Sequence, residues 1–156
     1  KINRLLHFLN TKKINVIILG KTSDHSIELI TNFIKKAKFK NIFLFKDLSD
    51  NYSICDQAYT ALNSIGYIGS ASGAMDFNGP LNKKIILIDH VFTSFDKYRN
   101  KNCKFLYKKM YDKKKKITQK VNWGVFYDTK RYKIVETKFA DIKKVLIRRI
   151  LKKNIN

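Results

Sequence analysis

The sequence predicts an α/β fold, a doubly wound parallel sheet in one domain with a terminal helix. Within residues 14–89, short apolar runs alternate with amphipathic stretches, the order of parallel strands joined by helices. The apolar runs are continuous and rich in β-branched residues, as in strands that are covered on both faces. A length of 156 residues suits one domain with its own core.

The elements follow in order along the chain. A leading helix is expected over residues 2–9, and four strands over residues 15–19, 41–45, 65–68 and 84–89. Helices are expected from Ser23 or Asp24 to about residue 37, over residues 53–63, and briefly over residues 74–78, where Gly79 and Pro80 end the helix. Right-handed crossovers between such strands give a Rossmann-like sheet.

The pattern is weaker after residue 89. We expect a strand over residues 104–107, an exposed lysine-rich segment over residues 112–120, and a hairpin of residues 123–127 and 132–135 with its turn at 128–131. Apolar residues at helical spacing predict a terminal helix over residues 139–153. Residues 103–156 are therefore interpreted as a peripheral segment of a single domain that covers residues 1–156.

The formal charge is +21, from 33 basic and 12 acidic residues. Such a charge attracts polyanions: nucleic acid, an anionic membrane or phosphorylated ligands. However, only five of the basic residues are arginine, the residue that suits planar phosphate and base recognition. We therefore assign most of the charge to lysine on solvated surface, as an AT-rich genome would encode.

Cysteine, histidine and hydropathy give further expectations. Cys55 and Cys103 lack metal-ligand spacing and a disulfide framework, which fits a reducing compartment. The three histidines are scattered, so no metal and no bound cofactor are expected. No apolar run approaches the roughly 20 residues that cross a bilayer. We expect a cytoplasmic protein without a signal peptide, excised from a longer one because it begins at Lys1, with peripheral contact at the inner face of an anionic membrane.

The turn after the first predicted strand invites comparison with a phosphate-binding P-loop. Gly20, Lys21 and Thr22 form a Gly-Lys-Thr sequence, but the loop needs another glycine five residues before Gly20, where Asn15 lies within the strand. This excludes an ATPase or GTPase of that type. A short loop at the carboxyl end of a strand remains, where doubly wound sheets bind ligands. Lys21 could neutralise a phosphate there.

A second segment, residues 68–76, ends a strand in small residues and begins a helix. The free amides and dipole at a helix amino end suit a phosphate, and Ser72 could cap the helix or donate its hydroxyl to the same oxygens. The alternative, that small residues only allow tight packing, stays open. Asp76 either touches a donor hydroxyl or is an acidic residue favoured by the helix dipole. His90 follows a strand. We interpret it as a solvated loop residue in preference to a catalytic acid or base.

Order and spacing over residues 14–93 match a known pattern. Residues 17–20 read Ile-Ile-Leu-Gly with Asp24 soon after, and residues 46–49 read Lys-Asp-Leu-Ser. Residues 68–76 read Ile-Gly-Ser-Ala-Ser-Gly-Ala-Met-Asp, followed by Gly-Pro-Leu-Asn-Lys at residues 79–83. In these features about half of the chain resembles the carboxy-terminal donor-binding domain of heptosyltransferase-like GT-B glycosyltransferases.

The resemblance implies a metal-independent sugar transfer from a nucleotide-diphosphate donor to a glycan or lipid-linked acceptor in surface polysaccharide or lipopolysaccharide synthesis. Ser72, Gly73 and Ala74 would hold the diphosphate near Ser70, and the loops at residues 20–23 and 89–94 would flank the nucleotide and sugar. In the family the catalytic base often comes from the amino-terminal domain. That domain would be a missing partner of this chain, so no catalytic residue is assigned. Ala71 and Asp76 replace the family's aspartate and histidine, which points to a divergent relative or another donor.

Two other functions stay open. Aromatic residues lie among lysines in residues 105–111 and could stack nucleic-acid bases, although an amphipathic segment with its aromatics in the core is the more ordinary interpretation. Nucleic acid is therefore the less favoured partner. The replacement at Ala71 also allows a Rossmann-like scaffold domain without catalysis.

Overall fold

A computed structural model of the chain describes residues 2–19, 24–49, 53–70, 80–93 and 101–153. In these residues helices and strands alternate as far as the third strand, and five further strands in succession precede the last helix. In this described part the helices are α1 (Ile2–Thr11), α2 (Asp24–Lys36), α3 (Ile54–Asn63) and α4 (Phe139–Arg149). The strands are β1 (Val16–Ile18), β2 (Ile42–Leu44), β3 (Gly66–Gly69), β4 (Lys84–His90), β5 (Cys103–Tyr107), β6 (Lys109–Asp112), β7 (Ile117–Lys120) and β8 (Tyr132–Val135). Residues 1–60 and 61–156 form two compact units.

The first unit contains a parallel pair of strands. β1 and β2 align from Val16 opposite Ile42 to Ile18 opposite Leu44. Ile42 and Leu44 are buried, whereas the register partners Ile17 and Phe43 are 37% and 39% exposed. Because successive side chains point to opposite faces of a strand, only one face of this pair is well covered. The expectation that the first strand is covered on both faces is therefore wrong.

The helices α1 and α2 end in the same hydrogen-bonded turn. After α1, Lys13 N donates to Asn10 O at 2.9 Å and Ile14 N donates to Leu9 O at 3.1 Å. After α2, the equivalent bonds run from Lys38 and Phe39, at 3.1 and 3.4 Å. Lys13 and Lys38 have φ values of 54° and 50°. This is the Schellman ending, in which glycine usually occupies the left-handed position.

The start of α3 is fixed by serine hydroxyls. Asp56 N donates to Ser53 Oγ at 3.0 Å, as in an N-cap, and Ser49 Oγ donates to the Asp56 carboxylate at 2.6 Å. The hydrogen bond from Ser49, and then that with Ser53, lowers the pKa of Asp56. The helix therefore begins at the serine from which the sequence predicted it.

In the second unit, β3, β4 and β5 form a parallel sheet with β4 in the centre. The successive residues Ile85, Ile86 and Leu87 of β4 are 4%, 0% and 0% exposed. Consecutive burial means that this strand is covered on both faces. Helix α4 packs against β4 and buries Ile142 and Leu146, four residues apart on one side of the helix.

Close packing fixes the beginning of β3. A Cβ on Gly66 would lie 2.6 Å from the carbonyl oxygen of Lys84 and 3.0 Å from Ile150 Cδ1, so a side chain at this position has no room. Lys83 Nζ donates to the carbonyls of Leu62 and Ser64 at 2.6 and 2.8 Å. Its ammonium group thus donates to backbone carbonyls where α3 ends.

The last sheet is antiparallel, with β6 between β7 and β8. The predicted hairpin of residues 123–127 and 132–135 is wrong, because β8 pairs with β6 and residues 123–127 form no strand. Most of the lysine-rich segment of residues 112–120 is exposed as expected, but Asp112 is buried. The segment contains the turn and second strand of a real hairpin, β6–β7. Most of β7 is exposed, so its sequence lacks the alternation that reveals a half-buried strand.

Asp112 and Arg131 connect the turn between β6 and β7 to the segment between β7 and β8. The Asp112 carboxylate accepts Arg131 Nη2 at 2.7 Å and Nε at 3.1 and 3.2 Å, and it also accepts the amides of Lys114 and Lys115. The Asp112 side chain is only 2% exposed. The hydrogen bonds from Arg131, and secondarily those from the two amides, hold the pKa of Asp112 well below its usual range.

The chain is therefore a mixed α/β protein with parallel strands in two sheets and an antiparallel third sheet. The predicted elements up to residue 89 that can be compared lie within about two residues of the observed ones. The brief helix expected over residues 74–78 lies outside the described residues. The terminal α-helix ends at Arg149, and a 3₁₀ turn, Leu151–Lys153, follows. None of the helices in the described ranges is long and apolar enough to cross a bilayer.

The contact at Gly66 gives a first prediction. Gly66→Ala should lower the free energy of unfolding by about 1–3 kcal/mol, because the backbone carbonyl of Lys84 cannot move aside cheaply. Urea unfolding would measure it. The control is Gly124→Asn, because Gly124 has φ 75° and no atom within 4 Å of an added Cβ. Asn tolerates that conformation, so the free energy of unfolding should change by less than about 0.5 kcal/mol. Equal effects of the two variants would contradict the close contact.

The Asp112–Arg131 pair gives a second prediction. Because folding lowers the pKa of Asp112, its stabilisation is fully present above the unfolded-state pKa of about 4 and is lost as the pH falls through the folded-state value. Asp112→Asn should therefore lower the urea midpoint at pH 7, and the difference from wild type should shrink below about pH 4. The exposed Asp47→Asn is the charge-matched control. A difference that does not depend on pH would show that the carboxylate charge is unimportant.

Candidate functional site

The carboxyl ends of β3, β4 and β5 lie at one edge of their parallel sheet. Gly69 of β3 is opposite Leu87 of β4, and His90 at the end of β4 is opposite Tyr107 at the end of β5. Ligands of open α/β sheets bind at this edge, beyond the ends of the strands. Ser70 and His90, two of the residues singled out from the sequence, thus follow or end neighbouring strands.

A β-bulge shapes the end of β4. Ile88 pairs with Leu106, and the next pair is His90 with Tyr107, so Asp89 is an extra residue in the ladder. Asp89 has φ 52°, a conformation that is uncommon for a residue with a side chain. Its Oδ1 accepts Thr137 Oγ1 at 2.6 Å and Thr137 N at 3.4 Å. Bulges recur beside active sites, where they redirect a side chain.

The bulge makes His90, rather than Asp89, the neighbour of Tyr107. His90 is 6% exposed, and its ring centroid lies 4.9 Å from that of Phe105 and 5.9 Å from that of Tyr107. The interpretation of His90 as a solvated loop residue is therefore wrong: β4 continues one residue further than expected, and this last residue packs against the rings of β5.

These rings belong to an aromatic cluster of His90, Phe92, Phe105 and Tyr107. Phe105 and Tyr107, two apart on one face of β5, are stacked at 5.5 Å with an interplanar angle of 14°. Lys120 Nζ lies 4.1 Å from the Tyr107 centroid and 5.2 Å from that of Phe92, in cation–π contact. The cluster gives the edge of the sheet an apolar wall with a cation beside it.

The end of β3 is built around a close contact within the strand. Tyr67 Oη donates to the Ser70 carbonyl at 3.0 Å, and a Cβ on Gly69 would lie 2.7 Å from that hydroxyl. Gly69 therefore lets the Tyr67 side chain lie along the strand and hold the backbone as it leaves the sheet. Ser70 itself is exposed.

Seven of the residues singled out from the sequence lie outside the described residues: Gly20, Lys21, Thr22, Ser72, Gly73, Ala74 and Asp76. Sequence reasoning missed Thr137, Tyr67 and Lys120. Their roles depend on partners that are 48, 3 and 13 positions away in the chain, and only for Tyr67 was the partner close enough to suggest a contact.

Among the residues that the structure describes, no three His, Cys, Asp or Glu side chains come together as a metal site. Comparisons with protein-family models, curated proteins and solved structures found no match.

The Thr137 contact gives a third prediction. Thr137→Val keeps the shape of the side chain but removes the hydroxyl that donates to Asp89, and should lower the free energy of unfolding by about 1–3 kcal/mol. Urea unfolding would test this, with Thr118→Val on the exposed face of β7 as the control. A Thr137→Val protein as stable as the control would mean that the hydrogen bond does not secure the bulge.

Proposed function

We propose that this chain is the nucleotide-sugar-binding part of a GT-B-type glycosyltransferase, which transfers a sugar from a nucleotide-diphosphate donor to a glycan or lipid-linked acceptor. One observation supports this most. Two adjacent parallel strands end in the same direction: Gly69 and Ser70 leave β3 opposite Leu87, and β4 continues to Asp89 and His90. Parallel α/β sheets bind nucleotides at such an edge.

The proposed chemistry is electrostatic. The segment after Ser70 is rich in small residues, and by the resemblance its Ser72, Gly73 and Ala74 hold the donor's diphosphate. Amide donors and a nearby cation would stabilise the negative charge that develops on the diphosphate as the sugar leaves. In the family that the chain resembles, the catalytic base often comes from another domain, and the proposal assigns no catalytic residue here.

The proposal includes a doubly wound, Rossmann-like sheet. Parallel pairing within each unit, β1 with β2 and β3 with β4 and β5, supports it. The proposed reaction takes place in the cytoplasm, where nucleotide-sugar donors are made.

The charge distribution is consistent with an anionic donor. Residues 101–153 contain nineteen lysine and arginine residues against four aspartate and glutamate residues. Such a field raises the association rate of anionic ligands, although it does not distinguish a donor from other anions. The nucleotide must therefore be tested directly against a polyanion.

The test is a thermal-shift titration of the chain with nucleoside diphosphates and, in parallel, with a single-stranded oligonucleotide, at two salt concentrations. We expect saturable binding of one nucleoside diphosphate with weak salt dependence, worth about 2.7 kcal/mol of stabilisation at a concentration of 100 times Kd. Ser70→Glu should weaken this binding at least about tenfold, because a carboxylate at the end of β3 repels the diphosphate. Thr118→Glu, which adds the same charge to an exposed position of β7, is the matched control.

Two results would contradict the proposal. If no nucleoside diphosphate stabilises the chain, the scaffold interpretation is favoured. If only the oligonucleotide binds, with an affinity that falls steeply with salt, the chain is a nucleic-acid-binding module.

A further inference from the structure

The link between β7 and β8 is an ordered segment that crosses the antiparallel sheet. Both strands pair antiparallel with β6, on its two sides, so they run in the same direction and residues 121–131 must return along the length of the sheet. The beginning of the link is tied to Phe92: Phe92 N donates to Val121 O and Trp123 N donates to Phe92 O, each at 2.9 Å.

The other end of the link is held as well. Asn122 N donates to Tyr127 Oη at 3.1 Å, which closes the segment between them into a loop. The Tyr127 ring contacts that of Tyr132 edge to face at 5.4 Å, and the Asp128 carbonyl accepts Tyr132 N at 2.9 Å. The residues between the two ends are therefore presented from a fixed base.

The residues presented there are apolar and exposed. Trp123, Val125 and Phe126 are 76%, 50% and 102% exposed, within four positions of the sequence. We call residues 123–126 the apolar tip. Single exposed apolar residues are ordinary on a protein surface, but three large ones together mark an interaction surface.

Basic residues lie at the end of the link. Lys113 N donates to Arg131 O at 3.0 Å, and Lys113 Nζ donates to Lys130 O at 2.9 Å. The Asp112–Arg131 pair fixes the same junction. The exposed turn of residues 113–116, four lysines in succession, is thereby joined to the link, and we call residues 113–116, 130 and 131 the basic turn.

We propose that the apolar tip and the basic turn bind the surface of an anionic phospholipid bilayer, with the tip entering the headgroup region. Trp and other large apolar side chains favour that depth, and the lysine-rich turn of the same sheet is attracted to anionic lipid. Residues 109–133 contain nine lysine and arginine residues and two aspartates, Asp112 and Asp128. Asp112 is paired with Arg131, and Asp128 keeps its charge, so this part of the surface is strongly positive.

A bilayer fits these residues better than nucleic acid. Stacking of bases needs flat rings, and Val125 offers none. The basic turn contains one arginine among its six residues, whereas arginine is the residue that binds phosphate in a planar, bidentate way. The inference rests on Phe92 and residues 109–133 and does not depend on the proposed sugar transfer.

Trp123 is the only tryptophan in the chain, so its fluorescence reports on the apolar tip itself. The experiment mixes the full chain with phosphatidylcholine vesicles, with or without phosphatidylglycerol, and measures co-sedimentation and Trp123 emission. We expect co-sedimentation and a blue shift with the anionic vesicles, both weaker at high salt, and little binding to the neutral ones. Unchanged Trp123 emission on anionic vesicles would overturn the proposal, even if the protein co-sediments by charge alone.

Two sets of variants separate the tip from the charge. Phe126→Ser should weaken binding about tenfold and reduce the blue shift, whereas Ile54→Ser, at a residue of 67% exposure in α3, should leave both unchanged. Replacing Lys114 and Lys115 with Gln and Lys116 with Asn should weaken binding at least about tenfold at low salt, with the blue shift retained at saturation. The control replaces Lys12, Lys35 and Lys36 with Gln, which removes the same charge.

Circular dichroism confirms that each variant is folded. Wild-type binding by Phe126→Ser, or equal losses in the two lysine sets, would overturn the proposal. If a single-stranded oligonucleotide quenches Trp123 while vesicles leave it unchanged, the surface binds nucleic acid instead. Because the readout is lipid binding, the result is independent of whether nucleoside diphosphates bind elsewhere.

Discussion

The burial of three successive side chains in β4 is the constraint on which the second unit depends. Ile85, Ile86 and Leu87 alternate between the two faces of the sheet, yet all three are almost completely excluded from solvent. A strand of this kind needs hydrogen-bonded neighbours on both edges and a layer on each face. β3 and β5 supply the edges, and α4 packs against the strand. Gly66 meets the same requirement, because its lack of a side chain allows β3 to approach β4 closely.

The candidate site follows from where this buried strand stops. Beyond Ile88 the ladder accommodates an additional residue, and Asp89 adopts a left-handed conformation secured by Thr137. The bulge therefore determines which partners Asp89 and His90 contact. Asp89 is directed towards Thr137, and His90 completes the aromatic wall formed by Phe105 and Tyr107. Backbone strain beside the end of a parallel strand is common where proteins bind ligands.

The sequence predicted the elements that contain apolar residues in continuous runs or at helical spacing. It did not predict features that depend on solvent exposure or on local backbone geometry. The run at residues 84–89 identified β4, and the helical spacing of Ile142 and Leu146 identified α4. Strand β7 was missed because its residues face solvent and do not alternate. The burial of His90 was missed because a bulge leaves no trace in composition. The ends of α1 and α2 carry lysine in the left-handed position where glycine would have marked them.

Those two helix ends show what a lysine-rich composition does to folding thermodynamics. A residue with a Cβ in the left-handed region costs roughly 1 kcal/mol relative to glycine, and the favourable charge of lysine at a helix carboxyl end offsets part of this. Lys13 and Lys38 nevertheless complete the same hydrogen bonds that glycine would. A domain is stable by only about 5–15 kcal/mol, so lysine at these two positions uses a measurable part of that margin. The chain consequently tolerates fewer additional destabilising mutations than its buried strands alone would permit.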